Sequence, residues 1–219
     1  MPFVMFLGAA LGAGAPGTIA IDISALDRMP PRARRALMQE TSAIWAPHGV
    51  SMAWITSLAE RVPMRPGPML SVVGPDGCSS SLTPLGHDPR VRSSPRLGAI
   101  VFLDGHVNAE NTIVLSIDAI TRLVDETYWL NRRVADWPAG VEQELVGRAA
   151  GRVLAHEIGH YLLGWRAHTP DGLMRAGFGA SALLDPARLG FEIPRQLVPR
   201  LSGRLAQLAG APSAIAQVE

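Results

Sequence analysis

The chain has no lysine: all 20 of its basic residues are arginine. A skewed genome composition accounts for that better than a binding need, because the formal net charge is only +1. No long basic run occurs, which argues against a dedicated nucleic-acid surface. The short cluster Arg32, Arg34 and Arg35 reads as the solvated end of a helix. Cysteine is almost missing too. With Cys78 alone, an internal disulfide framework is excluded and the redox compartment stays open. No stretch has the uninterrupted apolar length of a membrane span, so no integral membrane segment is expected.

What the chain does have is an ordinary apolar fraction of 47%, and glycine and proline above average usage, at 22 and 18 residues. Its 219 residues suffice for one substantial domain or two closely packed subdomains. Residues 3–15 resemble the apolar core of an export signal, with an Ala-x-Ala site at 13–15. A positive leading region is missing, however, and Pro16 follows that site directly. Residues 1–17 are therefore read as a signal or a flexible start. A secreted or periplasmic location follows only from the first of these. Oligomeric state is left open.

Residues 18–23 alternate and are β-branched, as a first strand requires. After Pro30-Pro31 a helix is expected over 32–46, with Ala36, Leu37, Thr41, Ile44 and Trp45 inward, stopped by Pro47-His48-Gly49. Further strands are expected at 50–57, 69–73, 98–103 and 112–117. A long loop over 74–96 and an Asp104-Gly105 turn separate them. Helical patterning then runs through Ile120, Leu123 and Val124 towards Tyr128. A terminal helix over 196–209 places Leu197, Leu201, Leu205 and Leu208 inward. Between these lies the most convincing element, a helix over 139–163. Pro138 sits at its start, Glu142 and Glu144 lie near its amino end, and Gly164 is a natural stop. Gly147 and Gly151 weaken it unless something packs close against them. The fold class is α+β, a twisted, mostly mixed sheet with long helices.

That helix carries His156-Glu157-Ile158-Gly159-His160. Histidines one turn apart reach a single ion from the same side. Glu157 is offset from His156 by about 100° and can serve a metal-bound water without taking a coordination position. A catalytic zinc takes three protein ligands plus water, so one ligand remains to be found. His168 is the best candidate, provided the helix breaks first: unbroken, it would lie about 18 Å along the axis from His156. Gly164 supplies the break. Elsewhere, His48, His87 and His106 read as turn or loop residues. Trp129, Trp137 and Trp165 are large aromatics that usually serve the core, and Trp165, just past the helix end, has the best claim to a substrate cleft.

The segment 156–174 resembles the metzincin group of zinc peptidases, whose pattern HExxHxxGxxH is followed by a methionine turn. The spacing here is HExxHxxxGxxxH: Leu163 stands at the usual glycine position and each arm is one residue longer. The resemblance implies that Gly164 is the helix-ending turn, His168 the third ligand, and Met174 the methionine below the metal. It also implies an upper subdomain over 18–164, a smaller lower one over 165–219, and a cleft between them within one catalytic unit. The implied activity is zinc-dependent hydrolysis of a peptide or protein substrate, with Glu157 as general base. A subset of such enzymes uses a tyrosine after the methionine. With only Tyr128 and Tyr161 in the chain, that role is unassigned. One alternative makes Cys78 the third ligand, since Asp76-Gly77-Cys78-Ser79 faintly resembles the cysteine segment of peptide deformylases. Another is a closed, non-enzymatic zinc site with Asp171 as fourth ligand.

Overall fold

A computed structural model describes residues 17–57, 68–75, 96–102 and 109–210. The apolar start, Cys78, His87, His106, the Asp104-Gly105 turn and most of the expected loop over 74–96 lie outside the described residues. The protein is α+β, built on a mixed five-stranded sheet.

The strands are β1 (Gly17–Asp22), β2 (Val50–Ile55), β3 (Met69–Val73), β4 (Gly98–Phe102) and β5 (Ala109–Leu115), in the order β2-β1-β3-β5-β4. β2, β1, β3 and β5 pair in parallel. β4 runs antiparallel on the edge beside β5, with a register irregularity between Ile100 and Phe102. Alternation explains one buried face: Ile19 and Ile21, Leu70 and Val72, Ile113 and Leu115 are two apart on their strands and fully enclosed. They share a core with Leu37 and Trp45 of α1 (Pro31–Trp45) and Leu154 and Ile158 of α3 (Ala139–Leu163).

The two long helices touch closely because glycines line their contact. A Cβ at Gly151 would stand 2.8 Å from the Leu37 carbonyl oxygen, and one at Gly147 would collide with that of Ala33. Thr41 Oγ1 donates to the Gly151 carbonyl at 3.0 Å, and Trp45 Nε1 to that of Ala155 at 3.3 Å. The expected helix-weakening glycines are thus the condition for close packing.

α2 (Ile117–Asp125) stops sooner than the apolar pattern implied. Tyr128 is 69% exposed in a two-residue strand, β6 (Tyr128–Trp129), that turns back through Leu130 and Asn131 to β7 (Arg132–Arg133). Leu130 and Asn131 have φ of 49° and 62°, the two left-handed residues of a tight hairpin. β5 also begins earlier than 112. After α3 come α4 (Ala180–Leu184) and α5 (Val198–Gly210). α5 buries Leu201 and half-buries Leu205 and Leu208, with Leu197 buried in the 3-10 turn just before it. Among the described residues, no helix is long and apolar enough to cross a membrane.

Candidate metal centre

Twenty-five residues of α3 carry His156, Glu157 and His160 into the interior, where they are 8%, 7% and 5% exposed. Gly164 then takes φ 54° and ψ 44°, a left-handed conformation that ends the helix. The Trp165 N–H returns to the His160 carbonyl at 3.2 Å and the Gly164 N–H to that of Tyr161 at 3.1 Å, closing the last turn. Arg200 of α5 secures the end, donating to the carbonyls of Leu163 at 2.6 Å and Gly164 at 3.0 Å. Nothing in the local sequence announces this cap.

The reversal brings His168 back beside the helix. Its ring stacks on His156 with centroids 5.3 Å apart and meets His160 edge-on at 5.0 Å. Ligand atoms of the three histidines lie within 4.8 Å of one another, so the trio can hold a metal ion. A tetrahedral zinc with nitrogen ligands would draw such atoms to about 3.4 Å apart, within reach of small side-chain adjustments.

The outer ring nitrogens orient the inner ones. His156 Nδ1 lies 2.7 Å from the Leu173 carbonyl oxygen, and His160 Nδ1 lies 2.7 Å from that of Trp165. Carbonyls only accept, so each Nδ1 carries the proton and each Nε2 turns a lone pair inward. The two Nε2 atoms are 3.0 Å apart. Burial lowers the His156 pKa to about 4, against the raising effect of the Leu173 carbonyl, with His160 and His168 lowering it further. Burial also lowers that of His160. Both rings are therefore neutral near pH 7, the form a metal needs.

The His168–Met174 connection is a tight loop. The Thr169 N–H donates to the Met174 carbonyl at 2.8 Å, and Thr169 Oγ1 to that of Asp171 at 2.6 Å. Gly172 turns the chain at φ 71°, where a Cβ would stand 2.7 Å from the Glu192 carbonyl oxygen. Met174 is fully buried and packs against Gly159, between the two helix histidines in sequence. Asp171 is exposed and is not among the metal-capable group of the described residues.

Glu157 is not part of the metal-capable group of the described residues. Its carboxylate accepts the Ile100 N–H of β4, and Gly98 brings that strand within reach: a Cβ there would stand 2.6 Å from Val153 Cγ1 and 3.1 Å from Glu157 Oε1. Burial raises the Glu157 pKa to about 7, more than the Ile100 N–H and Arg96 lower it.

Trp165 is half-buried, packs on the core, and has the Arg200 guanidinium 5.8 Å from its ring. Trp129 lines a separate cavity of about 340 Å³ with Leu130, Val141 and Leu145, towards the other end of α3. Tyr161 is buried and His48 sits in the turn after α1; neither belongs to the cluster. Sequence reasoning missed Gly98, Gly159, Phe178 and Arg200. Gly98 alone left a local signal, a glycine opening an apolar strand where backbones approach closely. Phe178 meets His156 edge-to-face at 5.7 Å. No family model matches this chain, and no curated protein matches it at a significant level.

Proposed function

We propose that the chain is a divergent metzincin-like zinc peptidase, hydrolysing a peptide bond with His156, His160 and His168 as ligands and Glu157 as general base. The observation that carries this reading is the locked pair of Nε2 lone pairs facing His168, with a buried carboxyl beside them that does not join the cluster. Three imidazoles favour zinc among biological cations. Bound there, zinc would acidify a water and polarise the scissile carbonyl.

The chain's own groups supply the rest. Glu157, with a pKa near 7, takes a proton from the attacking water and delivers it to the leaving amine. The Ile100 N–H and Gly98 hold that carboxyl in place. His168 is exposed while its two partners are buried, so one side of the trio faces solvent and is open to substrate. The parallel sheet with one antiparallel edge strand, two long helices and a fully buried methionine after the third histidine support the family resemblance.

The test is zinc per chain for wild type and His168→Ala at matched concentration with a weak chelator, followed by a peptide library. One zinc in wild type, sharp loss in the variant, and hydrolysis abolished by Glu157→Gln are expected. Zinc retained equally by His168→Ala rejects the ligand set. Zinc bound without hydrolysis of any peptide rejects the peptidase.

A further inference from the structure

Arg175 follows Met174 directly, and its backbone is held beside the third histidine through a bridge to Thr169. Its guanidinium carbon lies 4.3 Å from the ring centre of Phe178, the ring that meets His156 edge-to-face at 5.7 Å. Phe178 in turn stacks on Phe191 at 4.8 Å. Arg175 Nε is shielded from solvent and, among the described residues, has no hydrogen-bond acceptor. Among the described residues, no ion pair reaches the side chain either.

Three carboxylates of this region have partners of their own, while Asp171, in the loop before Arg175, is exposed. Glu40 takes Arg152 and Arg188, Asp185 takes the Ala187 N–H, and Glu192 takes the Gly190 N–H. A half-buried guanidinium, fixed on an aromatic platform one ring from a metal ligand, has its ordering cost largely met in advance and can turn only its outer nitrogens to a ligand. Its forked donors match a carboxylate.

We propose that Arg175 recognises a carboxylate on the substrate, either an acidic side chain near the scissile bond or the free carboxyl end of a peptide. The proposal deepens the peptidase reading and rests on it for where the peptide lies. Phe178 sets the plane of the guanidinium. Gly190, at φ 80°, leaves space beside its outer nitrogen: a Cβ there would stand 3.7 Å from Nη1. A purely structural cation–π contact would affect stability without discriminating between charged and neutral peptides.

The experiment uses the full zinc-loaded chain carrying Glu157→Gln, so that binding is read without turnover. Matched fluorescent peptides place Asp or Glu, against Asn or Gln, at each position in turn, each as free acid and as amide. An acidic peptide should bind about tenfold or more tightly than its neutral counterpart, an advantage that shrinks with added salt. Arg175→Gln should bring the ratio to about one, and Arg175→Lys should keep part of it. Zinc content verifies that each variant is folded. An advantage that follows the free acid alone assigns the peptide end; one that follows a side chain assigns an acidic residue. No acidic advantage, undetectable binding included, overturns the proposal, as does an advantage that survives Arg175→Gln. Failure of the Glu157 chain to cleave any peptide would instead overturn the peptidase reading and leave an Arg175-dependent ratio standing.

Discussion

Gly159 and Met174 are packed so closely that a Cβ on the glycine would collide with the methionine Sδ. Met174 is wholly buried, and Trp45 closes the other side, 3.6 Å from that same Cβ position. The central glycine of the helix motif is therefore where the loop returning from His168 is seated. The Met174 carbonyl accepts the Thr169 N–H, so moving the methionine also moves the backbone beside His168.

Substitution should show this coupling by a change of sign. Gly159→Ala alone gains helix propensity but forces Met174 aside, and should lower stability and weaken zinc retention. Met174→Ala alone should cost about 2–5 kcal/mol through the cavity it leaves. In the Met174→Ala background the collision is gone, so adding Gly159→Ala should raise stability by up to about 1 kcal/mol. Urea denaturation of the four chains gives the double-mutant cycle. Additive effects would mean that the two residues do not bear on each other.

The buried ion pair between Arg152 and Glu40 should dominate the docking of the segment after α4. Arg152 is fully buried and reaches Glu40 at 2.8 Å, the Ala187 carbonyl at 2.9 Å and the carbonyl of Ala182, with its guanidinium 4.4 Å from the Phe191 ring centre. Glu40→Ala strands that cation and should cost about 3–5 kcal/mol. Arg188→Ala removes the half-exposed partner of the same carboxylate and should cost about 1 kcal/mol or less. Arg152→Lys should not rescue, because one ammonium cannot hold three acceptors in a plane. Equal losses for Glu40→Ala and Arg188→Ala in a denaturation series would refute this account.

What the sequence made legible were features with a local cause. Alternation marked β1, and the apolar period with Pro138 and Gly164 bounded α3. The helix motif, the break and His168 together anticipated the histidine trio. Strand order and the antiparallel direction of β4 were not legible, since pairing is set between distant segments. The β6–β7 hairpin and α4 are too short to express a period, and Tyr128 was drawn into a helical pattern for that reason. Gly159 looked like a spacer because its partner, Met174, arrives only after the chain has reversed. Arg200 carries no mark in its own helix, because the carbonyls it caps belong to α3.

Glu157 offers the most direct test of the electrostatics. Burial lifts its carboxyl to about 7 in the folded chain, from an ordinary value of 4.5. Between those two values the folded protein holds a proton that the unfolded chain has released. Its contribution to stability is therefore intact below about pH 4.5 and is lost as pH rises through 7. Glu157→Gln cannot ionise and escapes that loss. His156, held near 4 by its own burial, imposes an opposite slope on acidification, but it does so in both chains and cancels in the difference. With a chelator present, the Gln variant should gain on wild type by about 3 kcal/mol between pH 4.5 and pH 8. Added zinc should narrow the gap at pH 8, because a nearby cation favours the carboxylate. Urea midpoints of both chains across this range provide the measurement. A difference that does not change with pH would mean that Glu157 ionises as freely in the folded protein as in water.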